Sequence, residues 1–179
     1  FQIPNFGEVS NPFISSELEV TIAQKGNQLD FPADLWAVRT ADTDSLVLSD
    51  WYIGPSSNAP SGGEAGSIIQ ESFLDPSSEI GQVKTSEDAN VFLTNYLNAQ
   101  YDNGNGAGKY VFFRVNKGDQ NSFVYGWNAY VLKSSQAEDG QATAPEIKYT
   151  SVVDPIDLPE PEPEPEPTVP IGENLVSNS

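Results

Sequence analysis

The feature that most constrains the fold of this chain of 179 residues is an alternation of apolar and polar side chains near its start. In residues 16–22, Leu18, Val20 and Ile22 alternate with polar residues. Because successive side chains of a strand point to opposite faces, this pattern indicates a strand with one buried face. We therefore expect a sheet that packs one face against a second layer.

Further strands are predicted at intervals of roughly ten residues, separated by turn signals. They are expected around residues 34–38, 68–73, 80–83, 109–115, 129–132 and 146–150. The run 109–115 is the richest in β-branched and aromatic residues, and we predict that it forms a buried central strand. About seven to nine short strands are typical of a β-sandwich, so an all-β, jelly-roll-like sandwich is expected.

One segment departs from the strand pattern and predicts a short α-helix between Ser86 and Tyr101. Apolar residues recur there at the spacing of a single helical face, namely Ala89, Phe92, Leu93, Tyr96 and Leu97. Ser86 or Asp88 can cap the start, and Gly104 is a stop signal. The helix is expected to pack on or beside the sheets.

The end of the chain has a different composition. Residues 160–167 alternate Glu and Pro, so they offer no apolar side chain to bury, and each Pro removes a backbone donor. Three parts are therefore predicted: a β-sandwich module at 1–153, a disordered, acidic Glu-Pro-rich linker at 154–171, and the start of a further module or a tail at 172–179.

Charge and residue content disfavour several classes of function. The net charge is −18, which repels the phosphates of nucleic acids and anionic membrane surfaces, so neither is an expected partner. The chain has no Cys and no His, and it therefore lacks thiolate chemistry and the commonest general base. We expect a protein that is not an enzyme, with a glycoside hydrolase or lyase that uses only carboxylates as the catalytic alternative.

Three segments resemble the DNRLRE-type modules of secreted bacterial proteins. They are the strand at 15–20, the helix and strand within 92–115, and the closing segment at 130–149. The resemblance covers residues 1–150, although the motif that gives the family its name is absent. In addition, residues 172–178 resemble the first strand of another class of carbohydrate-binding jelly roll.

This resemblance implies a jelly-roll sandwich that acts as a non-catalytic carbohydrate-binding module. Such a module tethers a secreted protein of several modules to plant or algal polysaccharide. It implies an extracellular or cell-surface location, beside further modules of the same polypeptide. The alternative is a structural or adhesive module of a cell-surface protein that has no sugar site.

Aromatic residues beside loop signals are the candidate sugar contacts. They are Trp51 and Tyr52, and Tyr125 and Trp127. Flat aromatic faces stack on sugar rings, and a polar edge can bond a hydroxyl. Trp36 lies within a predicted strand and is expected in the core. The sugar-binding and adhesive hypotheses differ in whether the four candidate residues form one exposed platform.

A calcium site is also predicted, at Asp102, Asn103 and Asn105, because carboxylate and amide oxygens are the ligands that Ca²⁺ prefers. The alternative for this glycine-rich segment is a helix C-cap followed by a turn. Asp42 and Asp50 carry the same ambiguity.

Basic residues are the candidates for contact with an acidic sugar such as a uronate, because Arg matches a carboxylate with two hydrogen bonds. The candidates are Lys109, Arg114, Lys117 and Lys133. Strand alternation places Lys109 and Arg114 on opposite faces, which argues against one basic stripe.

Overall fold

The computed structural model describes residues 1–26, 31–47, 50, 66–117, 129–134 and 144–156. Within them lie two antiparallel sheets and one α-helix, which confirms the predicted all-β sandwich with one short helix. The elements are β1 (Phe13–Lys25), β2 (Ala33–Ala41), β3 (Ser67–Leu74), β4 (Gly81–Lys84), α1 (Glu87–Tyr101), β5 (Tyr110–Lys117), β6 (Tyr130–Leu132) and β7 (Glu146–Ser151).

The first sheet is organised around β1. Glu19 of β1 pairs with Lys84 of β4 and also with Glu146 of β7, so β4 and β7 lie on opposite edges of β1. Ile22 pairs with β4 and with β6, so β6 lies on the same edge as β7. A single long strand therefore holds three shorter ones.

Among the described strands the second sheet has the order β3-β2-β5, so β2 is the central strand and β5, which was predicted to be central, lies at the edge. A short N-terminal segment pairs with the start of β5 through the bridge between Gln2 and Tyr110. The outer face of β5 is covered in part by a side chain, since the guanidinium of Arg39 lies 3.9 Å from the centre of the Phe112 ring. This cover explains why the apolar Phe112 can lie on the outer face of β5.

The core lies between the two sheets and under the helix. Fully or almost fully buried residues come from both sheets, among them Leu18, Val20, Ile22, Leu35, Ala37, Ile69 and Val111. The helix adds Ala89, Leu93, Leu97 and Tyr101. Phe92 was expected on this buried face but is 60% exposed, because it lies at the margin of the helical stripe.

The helix also covers an edge of β1 beyond the end of β4. The Ser86 hydroxyl accepts a hydrogen bond from Ala89 N at 3.3 Å and caps the helix, as predicted. The Asn98 side chain donates to Phe13 O and accepts from Phe13 N, both at 2.9 Å. These bonds replace a neighbouring strand at this position of the edge.

Candidate functional site

The outer face of the β3-β2-β5 sheet carries Trp36. Leu35 and Ala37 point into the core, so Trp36 points to the opposite face, where Ile68 and Arg114 are its cross-strand partners. Trp36 is only 8% exposed, which agrees with the prediction that it is buried. Its Nε1 has no hydrogen-bond partner among the described residues.

A nearly buried ion pair lies on the same sheet. Arg39 Nε is 2.5 Å from Asp50 Oδ1, and Arg39 Nη2 donates to Asp50 Oδ2 at 2.7 Å. Val47 N donates to the same carboxylate at 2.9 Å, and Arg114 Nη1 donates to the backbone oxygen of Asp50 at 3.2 Å. Two arginines from neighbouring strands therefore hold both the side chain and the backbone of Asp50. We call Arg39, Asp50 and Arg114 the Asp50 clamp.

The Asp50 clamp keeps its carboxylate ionised. The hydrogen bond from Arg39 is the largest cause of a pKa below the usual value for Asp50, and burial opposes it in part. The clamp fixes the backbone next to two of the predicted sugar contacts, because Asp50 directly precedes Trp51 and Tyr52. Trp51 and Tyr52 themselves lie outside the described residues.

The second predicted aromatic pair, Tyr125 and Trp127, also lies outside the described residues. The chain just after it is anchored at the start of β6, where Gly26 N donates to Ala129 O at 2.9 Å. Tyr130 Oη donates to the backbone oxygen of Phe31 at 3.0 Å, and burial, with a smaller effect of Asp75, raises the pKa of Tyr130 to about 12. That Trp51, Tyr52, Tyr125 and Trp127 form one exposed platform stays a prediction.

The predicted calcium ligands lie at the C-terminal end of α1. Asp102 is the C-cap, with a left-handed φ of 43°, and Asn103 has a φ of 55°. Asn105 Nδ2 donates to Asp102 Oδ2 at 3.1 Å, while the Asn103 amide oxygen accepts a bond from the Ser10 hydroxyl. This backbone has the helix C-cap and turn that were predicted as the alternative to a calcium site.

Calcium at these residues stays a prediction. Ca²⁺ takes six to eight oxygen ligands, whereas this turn supplies one carboxylate and two amides, and the Asn103 amide oxygen and Asp102 Oδ2 already accept hydrogen bonds within the protein. Among the described residues, no group of three or more His, Cys, Asp or Glu side chains is arranged to hold a metal.

An apolar cleft of about 690 Å³ lies between the two sheets. Its walls include Leu18 and Ile147 from the first sheet and Leu35 and Phe113 from the second. Glu146 is the one acidic residue that lines this cleft in the described part of the chain. Hydrolysis by carboxylates alone requires two acids across a glycosidic bond, and the described walls of this cleft offer no such pair.

The outer face of the first sheet carries a buried carboxylate. Glu19 is 7% exposed, accepts from Gln82 Nε2 at 2.7 Å and from Lys148 Nζ at 3.0 Å, and lies 3.5 Å from Lys84 Nζ. The hydrogen bond from Lys148 is the main cause that lowers the pKa of Glu19. The folded state therefore favours the charged form of Glu19.

We expect Glu19→Gln to reduce the change in the free energy of unfolding with pH at acidic pH. Because the folded-state pKa is lowered, the charged carboxylate stabilises the fold above the ordinary Glu pKa of about 4.3, and this contribution is lost as the pH falls through the folded value. Urea unfolding between about pH 6 and pH 3 measures the slope. Glu146→Gln, at a side chain that is 61% exposed, is the control, and equal slopes for the native chain and Glu19→Gln would contradict the expectation.

Comparisons with protein-family models, with curated proteins and with solved structures gave no match. The class of the protein is therefore defined by the fold alone, which is a two-sheet antiparallel β-sandwich. In the described part of the chain, no helix is both long enough and apolar enough to cross a membrane.

Sequence reasoning missed two features of these surfaces. It treated Asp50 as an isolated acid, although Arg39 and Arg114 hold it, and it did not connect Asp42 with Asp102. No local signal reveals either, because both depend on which strands are neighbours.

Proposed function

We propose that this chain is a non-catalytic carbohydrate-binding module that tethers a secreted protein of several modules to plant or algal polysaccharide. The observation that supports it most is the Asp50 clamp, which fixes the backbone immediately before Trp51 and Tyr52. A fixed backbone lowers the conformational entropy that is lost when an aromatic side chain binds a ligand. Trp and Tyr supply the flat faces that stack on sugar rings.

The charge and the fold support the same proposal. With a net charge of −18, the chain is better suited to a neutral polymer than to a nucleic acid or an anionic membrane. A module that holds its parent protein on a polymer raises the effective concentration of the other modules there. Its place is outside the cell or at the cell surface.

We expect Trp51→Ala and Trp127→Ala to weaken retention in native gels that contain a soluble neutral polysaccharide. Truncating a central aromatic anchor typically costs about 2 kcal/mol, so the apparent affinity should fall at least about tenfold. Phe92→Ala is the matched control, since it removes an aromatic side chain that is 60% exposed on α1.

The adhesive alternative gives a different result in the same gels. A module without a sugar site migrates equally in gels with and without each polymer, and the three variants behave as the native chain does. Retention that Phe92→Ala abolishes and Trp51→Ala does not would place binding on the helix and contradict the proposed site.

A further inference from the structure

A polar pocket of about 330 Å³ lies where the end of β2 meets the C-terminal end of α1. The polar residues in its wall come from two parts of the chain, residues 40–42 and 100–109. They are Thr40, Asp42, Gln100, Asp102, Asn105 and Lys109. Two acids that the sequence treats as unrelated, Asp42 and Asp102, therefore line one pocket.

The walls of this pocket are held in place by the protein itself. Thr40 Oγ1 donates to Gln100 Oε1 at 2.5 Å and joins the strand to the helix. Gly106 N donates to Tyr101 O at 2.9 Å, and a Cβ added to Gly106 would lie 1.9 Å from Gln100 O. Glycine is required by this close approach, which fixes the backbone on the helix side of the pocket.

Several polar groups in the pocket have no hydrogen-bond partner among the described residues. These are the Gln100 amide nitrogen, the Asn105 amide oxygen and the carboxylate of Asp42, whose side chain is 87% exposed and lies at the open rim of the pocket. Lys109 Nζ lies 3.8 Å from Asp42 Oδ1, which is beyond hydrogen-bond distance. The pocket therefore presents both donors and acceptors that a ligand can use.

The mixture of groups selects the class of ligand. An ammonium and an amide nitrogen in the wall disfavour a metal cation, and two carboxylates disfavour an anion such as a uronate. A sugar hydroxyl donates one hydrogen bond and accepts others, as this wall requires. The volume lies at the lower end of the range for small-molecule sites, which suits one sugar ring.

We infer that this pocket binds one neutral sugar unit through hydrogen bonds, separately from the predicted aromatic contacts. The inference rests on the proposed function, because it adds a second contact with the same kind of polymer. It also reverses the expectation that Lys109 contacts a uronate, since the ammonium lies beside Asp42 and the pocket keeps a net negative charge.

The test is a titration of the ¹⁵N-labelled full chain with glucose, galactose and mannose, followed by backbone amide signals in two-dimensional NMR. We expect the signals of Asp42, Asn105, Gly106 and Lys109 to move on saturation with at least one sugar. Glucuronate should bind roughly fivefold more weakly or not at all, because it adds a like charge near two carboxylates. Asp42→Ala should lower the affinity about tenfold through the lost charged hydrogen bonds.

Asp44→Ala is the matched control, because it removes the same charge from an exposed residue two positions away. The inference fails if no neutral sugar moves these signals, if glucuronate binds more tightly than the neutral sugars, or if only calcium chloride moves them. If the pocket signals do not move but polysaccharide gels retain the chain, the inference is refuted and the proposed function stands. Pocket shifts together with unchanged retention of Trp51→Ala refute the aromatic site and leave the pocket standing.

Discussion

Replacing Asp50 with Asn should lower the free energy of unfolding by about 3 kcal/mol, because removing one partner of a buried ion pair leaves the other charge without compensation. The side chains of Arg39 and Asp50 are 17% and 7% exposed, so water replaces little of the lost interaction. The amide nitrogen of Asn would also face the donors of Arg39 and Val47.

Urea unfolding at neutral pH, followed by circular dichroism, measures this loss, and urea avoids the screening that a charged denaturant causes. Asp44→Asn is the control, since it makes the same charge change at an exposed residue. A loss below about 1 kcal/mol, which is the range of exposed ion pairs, would contradict the buried pair.

The same substitution tests the link between the Asp50 clamp and binding. If the clamp positions Trp51 and Tyr52, Asp50→Asn should weaken polysaccharide retention under conditions where the variant is still folded. Unchanged retention in a folded variant would mean that the backbone before Trp51 has no part in binding.

Replacing Tyr101 with Phe should cost roughly 3 kcal/mol, because two backbone groups each lose a hydrogen-bond partner. The Tyr101 hydroxyl accepts from Phe6 N at 2.8 Å and donates to Gly7 O at 2.6 Å, and its side chain is fully buried. These bonds tie the end of α1 to the N-terminal segment. The ring itself is kept, so its contact with Phe6, with ring centres 5.6 Å apart, is retained.

Thermal and urea unfolding of this variant give the cost, with Tyr110→Phe as the control. The Tyr110 hydroxyl has no hydrogen-bond partner among the described residues, so its removal should change stability by less than about 0.5 kcal/mol. Equal effects of the two substitutions would show that the hydroxyl of Tyr101 does not stabilise the junction.

Local patterns predicted most of the fold. The alternation at 16–22 lies within β1, the helical spacing after Ser86 matches α1, and each further predicted strand segment overlaps one of the described strands. These features depend on neighbours in the sequence, which set the face that each side chain presents.

The predictions that were wrong concern features that depend on tertiary contacts. The apolar run of β5 indicated a central strand, but among the named strands β5 pairs only with β2, and the N-terminal segment and Arg39 cover part of it. Phe92 has the right spacing for the buried face yet lies outside it, since the sheets do not extend that far around the helix. The pocket between Asp42 and Asp102 depends on pairing across 60 residues, which no local pattern records.

The most direct test of the proposed function is a tryptophan fluorescence titration of the full chain against soluble neutral and uronic polysaccharides, with calcium and then with a chelator. The chain has three Trp residues, and the buried Trp36 gives a constant background. A carbohydrate-binding module predicts a saturable change with a neutral polymer that is lost in Trp51→Ala or Trp127→Ala. A flat response of the folded chain to every polymer would contradict it and support the structural or adhesive alternative.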